Sequence, residues 1–203
     1  MLLEINNHSP QFAKIKQSSA FLKNGGVIVY PTDTIYGVGA DIFNKTAIER
    51  IYKIKHKKSI GFSFICSDLT EIAKYAIVSD QSYKIMKRVL PGPFTFVFKA
   101  TKLVPKLLVP NKKTVAIRIP DNKICLEIVK QLSNPIISTS VNMSGEEPYS
   151  DPLEIEKSFG DKVDLIIDAG ILEGEPSTVI DFSGDVPVLV RQGAGDASSF
   201  LTL

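Results

Sequence analysis

SPQFAKIKQSSAFLKNGGVIVYPTDT, residues 9–34, runs from a helix signal through a stop into a buried strand with a polar end. Ser9 is placed to cap a helix, with Pro10 in its first turn. Phe12, Ile15 and Leu22 form an approximate apolar stripe, and Gly25-Gly26 ends the helix. VIVYP (27–31) is a short β-branched run of the kind found in buried strands. The same alternation continues outward. A helix is predicted from Asn44 to Lys55, with Ile48, Ile51 and Tyr52 at helical spacing, followed by a strand at FSFIC (62–66). Asp68 and Glu71 form a D-x-x-E start signal, and a helix over 80–90 ends at Pro91-Gly92-Pro93 before the strand TFVFKA. Then come the strand TVAIRIP (114–120), a helix over 122–132, the strand PIISTS (135–140) and a helix from Asp151-Pro152 to Gly160. VDLIID, STVIDF and PVLVRQ close the pattern as three strands near one another in sequence. Alternating helices and strands predict an α/β sheet covered by helices. The final strand cluster favours a mixed sheet over a parallel one. No repeat or Pro/Ser/Gly linker divides residues 1–203, which are expected to form one domain.

Composition narrows the function classes. Apolar residues make up 44% and charged residues 23% of the 203, as in a globular protein with a full core. There is no apolar run of about 18 residues, so neither a spanning helix nor a membrane partner is expected. The first residues, MLLEINNHSPQFAKIK, lack the pattern of a secretory signal, and a cytoplasmic location is expected. Cys66 and Cys125 form no CxxC pair and read as buried, reduced thiols. With two histidines, a structural zinc site is not expected. The net charge of +2 conceals an asymmetry: residues 1–145 hold 21 Lys/Arg against 9 Asp/Glu, and residues 146–203 hold 3 against 13. The basic part suits an anionic ligand such as a nucleotide or RNA, unless the two parts mix on the folded surface.

No GxxxxGK[ST], GxGxxG or GxSxG motif is present. Polar residues instead gather at strand ends. PTDTIYGVGAD (31–41) groups Thr32, Asp33, Thr34 and Tyr36, which suit either a small-ligand site or a self-capped turn. RIYKIKHKKS (50–59) holds five cationic side chains and His56, suited to phosphates or to a solvated face. STSVNMSG (138–145) sets hydroxyl and amide groups just after an apolar run, where they can line a phosphate or ribose site. Arg118 lies inside TVAIRIP, where a guanidinium is costly unless it is paired or meets a ligand anion. PSTVID (176–181) and VRQGAG (190–195) add Ser177 and Arg191.

Taken in order, PTDT-YG-GAD, the basic segment, PGP-T-V, TVA-R-P, S-S-N-SG, STV-D and R-GAG resemble the YrdC/YciO family of threonylcarbamoyl-AMP synthases over about residues 18–196. The length matches the single-domain forms, and GFSFICSDLTEIAKYA with TVIDFSGDVPVLVRQGAGD is most similar to the YciO subgroup. The resemblance implies a twisted mixed α/β sheet with covering helices around an open basic cavity. It implies joining L-threonine, bicarbonate and ATP into threonylcarbamoyl-AMP and pyrophosphate, for t6A modification of tRNA by downstream threonylcarbamoyl-transfer proteins. By the same resemblance, Thr32, Arg118, Ser138 and Ser177 hold threonine. Lys55, Lys57, Thr114, Ser140, Asn142 and Arg191 surround ATP, with Mg2+ accompanying the nucleotide. Some family members are associated with double-stranded RNA. The other expectation is therefore a YciO-like paralogue that binds double-stranded RNA or tRNA with little or no synthase activity.

Three departures stand out. The family's K-x-R…S-x-N reads here as Lys55-His56-Lys57…Ser140-Val141-Asn142. Lysine keeps the charge at 57 but not the bidentate fork. Lys57→Arg is therefore expected to raise threonine-dependent product formation by about tenfold or more, and Lys57→Ala to lower it, in a steady-state comparison. The proline-rich stretch of the family is replaced by KSIGFSF (58–64). GEEPYS (145–150) is about one residue longer than the family's connection, which leaves open whether Tyr149 or Ser150 meets the nucleotide.

Overall fold

The computed structural model describes residues 1–56, 61–108, 113–143 and 145–198. Among these residues lie eleven strands: β1 (Leu2–Glu4), β2 (Ile28–Tyr30), β3 (Gly37–Asp41), β4 (Ser63–Ile65), β5 (Ala76–Ile77), β6 (Phe94–Ala100), β7 (Thr114–Arg118), β8 (Ile136–Ser140), β9 (Leu165–Asp168), β10 (Thr178–Asp181) and β11 (Val188–Arg191). Six α-helices accompany them: α1 (Phe12–Lys23), α2 (Lys45–Ile54), α3 (Leu69–Tyr75), α4 (Asp80–Val89), α5 (Lys123–Leu132) and α6 (Pro152–Phe159). The strands form one mixed sheet in the order β1-β9-β2-β3-β8-β4-β7-β6-β10-β11, with β5 on the side of β6. β4 runs parallel to β7 and antiparallel to β8, so the centre of the sheet mixes both senses.

Period-two alternation divides the sheet into two faces. Val29, Val38, Phe64, Phe96, Ile117, Ile137 and Ile180 point to one face and are fully buried with apolar residues of α2, α3, α4 and α6. Ile28, Tyr30, Ile65 and Ile136 point to the other, where they pack against Ile15, Leu22, Ile124, Ile128 and Leu132 of α1 and α5. Along β3, β8, β4 and β7 that second face continues as Gly37, Ser138, Ser63 and Ala116. These residues are too small to fill a layer, and a hollow remains above them.

The connection from β9 to β10 crosses seven inter-strand steps in residues 169–177. A flat sheet would demand about 34 Å, close to the ~33–36 Å reach of ten extended residue steps. The segment is thus stretched near its limit, or the sheet curls to shorten the path. It is pinned on the way. The Tyr36 hydroxyl accepts from Ala169 N (3.0 Å) and donates to Gly170 O (2.7 Å), and Leu172 N donates to Ser150 O (3.0 Å).

The predicted helices and strands are found, with several differences. The first helix starts at Phe12 with Gln11 as its cap and no side-chain capping bond. Asn6 Oδ1 takes the N–H groups of His8 and Ser9, which holds Ser9 in a turn instead of a cap. YGVGAD was expected as part of a polar turn, but Gly37–Asp41 is β3, antiparallel to β2. Its glycines hide the strand period, and they are needed: a Cβ at Gly37 would lie 2.9 Å from Ser138 Oγ and 3.2 Å from Tyr30 Cζ. The short strands β1 and β5 had no sequence signal. β9, close to β10 in sequence, lies far from it in the sheet. Asp68 caps its helix as expected, Asn44 caps α2 by accepting from Ala47 N, and Asp151 caps α6 by accepting from Leu153 N. Cys66 and Cys125 are buried and unpaired, and burial pushes both thiols up.

One ion pair ties the ends of the β2 unit together. Arg50 donates to Asp164 through Nη1 (2.7 Å) and Nη2 (3.3 Å), and Val27 N donates to the same carboxylate (2.7 Å). Burial raises the Asp164 carboxyl, but the hydrogen bonds from Arg50 and Val27 outweigh it and hold the group below its ordinary 3.8. A depressed carboxyl contributes stability above its unfolded pKa, and the contribution is lost as pH falls through the folded value. Stability to urea is therefore expected to drop below about pH 4. Asp164→Asn should cost about 1 kcal/mol at neutral pH, because the pair is one-third exposed, and should flatten the acid limb of the profile.

Candidate active site

The hollow on the open sheet face has a volume of about 350 Å³. Its depth is graded along the strands. On β6, Thr95 is buried, Val97 is half-buried and Lys99 is exposed; on β7, Arg118 is buried and Ala116 and Thr114 are half-buried. The deep end is therefore at Arg118 and Thr95. Among the residues lining the hollow, Arg118 and Arg191 are the charged ones, and both are cationic.

Arg118 ends β7 with 6% exposure. Nη2 donates to Asp33 and to Thr34 Oγ1 (2.8 Å). Arg118 Nε and Asp33 Oδ2 are buried with no hydrogen-bond partner among the described residues. A guanidinium this buried with an unused N–H is costly in an empty site and favours a ligand that accepts from it. Thr32 lies beside it in the loop from β2 to β3. Its hydroxyl accepts from Thr34 N (3.1 Å) and Ile35 N (3.2 Å) and donates to Ile35 O (2.6 Å). The turn is self-capped, as one of the two sequence readings has it, and Thr32, Ile35 and Tyr36 of this loop also line the hollow.

On the other wall, Ser177 Oγ and Thr95 Oγ1 are hydrogen-bonded at 2.8 Å. Arg191 donates to Ser177 O from Nε (3.1 Å) and Nη2 (2.6 Å). Burial, and then the charge of Arg118, lower the Arg191 guanidinium, so the two cations feel each other across the hollow. The Gly193–Gly195 turn is fixed by the buried Thr178 hydroxyl, which accepts from Gly193 N and Gly195 N, each at 3.0 Å. A Cβ at Gly195 would lie 2.6 Å from the Phe94 ring, so this close approach requires glycine.

Of the residues singled out in the sequence, Thr32, Arg118, Ser138, Ser140, Ser177 and Arg191 line the hollow. Lys55 and Asn142 are joined to it through Ser140. Lys55 Nζ donates to Ser140 O (3.0 Å), Asn142 O (2.7 Å) and Asn142 Oδ1, and Ser140 Oγ donates to Asn142 Oδ1 (2.8 Å). The three donors of this buried ammonium thus hold the loop after β8. Thr114 shares the open face of β7 with Ala116 and Arg118, at its outer end. Lys57 lies outside the described residues. Tyr149 turns its ring to the core, 5.8 Å from that of Phe159, and Ser150 O accepts from Leu172 N. Pro148, their neighbour, lines the hollow instead. Among the described residues of the basic segment, Arg50 turns to Asp164 while Lys55 turns to Ser140 and Asn142.

Asp33, a ligand-site or turn candidate in the sequence, is instead the partner of Arg118, while Thr95, the partner of Ser177, and Ser63, in the floor, were given no role by the sequence. A signal existed for Thr95: in FTFVF it is the one hydroxyl in an aromatic and aliphatic strand. Among the described residues, no group of three or more His, Cys, Asp or Glu is placed to hold a metal ion. No helix among them is long and apolar enough to cross a membrane.

The Sua5/YciO/YrdC family model, which carries the description telomere recombination, matches residues 20–193. The chain is 42% identical over 200 residues to the uncharacterized protein YciO of Escherichia coli, covering 97% of each. The crystal structure of E. coli YciO superposes with a TM-score of 0.94 over 99% of both chains. A threonylcarbamoyl-AMP synthase of Klebsiella pneumoniae is 30% identical over 194 residues, covering 93% of this chain and all of the relative. Pyrococcus abyssi Sua5, solved in complex with L-threonine, superposes with a TM-score of 0.90 at 28% identity, covering 95% of this chain and 57% of that one. With the sequence and the superposed fold in agreement, the chain belongs to the Sua5/YciO/YrdC family.

Proposed function

We propose that the protein is an L-threonylcarbamoyladenylate synthase, with threonine held deep in the hollow and ATP toward its mouth. The observation that carries this reading is the buried, half-used guanidinium of Arg118. A ligand carboxylate satisfies it, and Thr32, Ser138 and the Ser177–Thr95 pair offer hydroxyls for the rest of a small amino acid. The likeness to a Sua5 solved in complex with L-threonine supports threonine as a ligand. Toward the mouth, Ser140, Asn142, Thr114 and Arg191 suit the nucleotide, and magnesium would enter with the ATP phosphates as part of the substrate.

In the reaction the threonine amine and bicarbonate form a C–N bond with loss of water. A carboxyl oxygen of that adduct bonds to the α-phosphorus of ATP, and the α–β bridging P–O bond breaks to release pyrophosphate. The residues around the hollow act by positioning and by placing cationic charge where phosphate charge shifts. Arg118 orients the carboxylate, and Arg191, fixed by Ser177, faces the transferring phosphate. The expected result is pyrophosphate release from ATP that depends on both L-threonine and bicarbonate. L-serine should support it less well, by roughly tenfold or more for the missing methyl. Release at the same rate without threonine would refute the synthase. The 42% identity to YciO favours a second reading, a YciO-like paralogue with little or no synthase activity, whose basic part would take double-stranded RNA or tRNA. RNA binding with no threonine-dependent release would select it.

A further inference from the structure

β2 ends on a tyrosine whose hydroxyl has no obvious use in the core. Tyr30 is fully buried, and its Oη makes no hydrogen bond of normal geometry among the described residues. The ring lies across the two glycines of the neighbouring strand β3. A Cβ at Gly39 would stand 3.1 Å from Tyr30 Cε1, and one at Gly37 would stand 3.2 Å from Cζ and 3.3 Å from the hydroxyl. The same point above Gly37 is 2.9 Å from Ser138 Oγ, so the two hydroxyls approach each other over Gly37, where Ser138 acts on the phenol as a hydrogen-bonding partner. Gly37 and Ser138 line the hollow and Tyr30 does not, which puts the phenol behind that wall. Burial, and then Cys125 of α5, push the phenol up against the pull of Ser138 and Arg118, so it stays protonated and keeps a proton to give. Space alone does not call for tyrosine here. Phenylalanine would fill the same volume without burying an oxygen, and a buried hydroxyl without a partner is costly. Ser138 O accepts from Ser63 Oγ (3.5 Å), which leaves the Ser138 hydroxyl to the phenol on one side and the hollow on the other.

We propose that Tyr30 is a positioning residue for the amino-acid ligand: its phenol donates to Ser138 Oγ, so that Ser138 turns its own proton into the hollow, toward the β-hydroxyl oxygen of the ligand. The role rests on the reading that the hollow holds threonine. A serine hydroxyl has one proton and two lone pairs. With one lone pair taken by the phenol, the proton is left for the ligand, and this wall of the hollow is a donor. A protonated amine has no lone pair to offer it, and Arg118 is the partner for the carboxylate. The β-hydroxyl is the remaining acceptor on a small amino acid. Tyr30 thereby makes the pocket discriminate between a β-hydroxy amino acid and its deoxy analogue without touching either.

The test is calorimetric titration of wild type, Tyr30→Phe, Ser138→Ala and the double variant with L-threonine, ATP and L-2-aminobutyrate, which is threonine without its hydroxyl. In Tyr30→Phe the threonine affinity is expected to fall about tenfold, while L-2-aminobutyrate and ATP change less than about twofold. A merely structural role would weaken all three together. Ser138→Ala, made at the hollow wall, should lose the same preference, and adding Tyr30→Phe to it should cost nothing further. Unchanged threonine affinity in Tyr30→Phe, equal loss of both amino acids, or additive losses in the double variant would overturn the role. So would an unchanged preference in Ser138→Ala, whether or not Tyr30→Phe folds. If these contrasts are seen in a protein that makes no threonylcarbamoyl-AMP, the positioning role stands and the synthase reading fails. If wild type does not prefer threonine to L-2-aminobutyrate, the positioning role fails, and threonine-dependent pyrophosphate release would leave the synthase reading standing.

Discussion

Replacing Arg118 by alanine is expected to lower stability by about 3–5 kcal/mol and to remove measurable threonine binding. The stability loss comes from Asp33. The two side chains are 8% and 10% exposed, and removing the guanidinium leaves a carboxylate buried beside the hollow without its counter-charge. The binding loss comes from the guanidinium, which lines the hollow and is only partly used by Asp33 and Thr34. Arg118→Lys separates the two effects. An ammonium still neutralises Asp33, so most of the stability should remain. It cannot serve Asp33, Thr34 and a ligand together from a planar fork, so threonine affinity should fall tenfold or more. Chemical denaturation alongside calorimetric titration measures both. If Arg118→Lys binds threonine as the wild type does, the carboxylate is held elsewhere.

Lys55→Ala should reduce nucleotide affinity by about a hundredfold while leaving threonine affinity within a few-fold. Its buried ammonium holds Ser140 O, Asn142 O and Asn142 Oδ1, and these acceptors lose that donor together, Oδ1 keeping only the Ser140 hydroxyl. The loop after β8 then loses its anchor, and the Ser140 hydroxyl loses its orientation toward the hollow. This predicts strong non-additivity. Once Asn142→Ala has been made, Lys55→Ala should cost far less, because both substitutions release the same loop. Independent, additive losses would mean instead that each residue touches the nucleotide separately.

How much of this was legible in the sequence follows from where each signal resides. Buried strands such as VIVYP and helices such as Asn44–Lys55 carry their signal in local apolar periodicity, and the fold has them nearly as read. β3 was missed because Gly37 and Gly39 carry no side chain to alternate. The requirement for glycine comes from Tyr30 and Ser138, on two neighbouring strands. β1 and β5 owe their existence to β9 and β6, and nothing within three residues announces such pairing. The strand-end polar groups were legible as candidates, and six of the ten named line the hollow. The pairings among them were not. That Asp33 meets Arg118, that Thr95 meets Ser177, and that Lys55 turns to backbone carbonyls depends on sheet order, which joins residues more than eighty positions apart.

A synthase forms the bond between the bicarbonate carbon and the threonine nitrogen in this hollow and joins the resulting carbamate oxygen to the α-phosphorus of ATP, with release of pyrophosphate. Incubating the protein with ATP, magnesium, L-threonine and ¹³C-bicarbonate, followed by mass spectrometry, tests it directly. The expected product is threonylcarbamoyl-AMP carrying one ¹³C, formed with pyrophosphate, absent when threonine is omitted and reduced at limiting threonine when Arg118→Lys replaces the wild type. Release of AMP or ADP with no labelled adduct, in protein that binds both ATP and threonine, would contradict it.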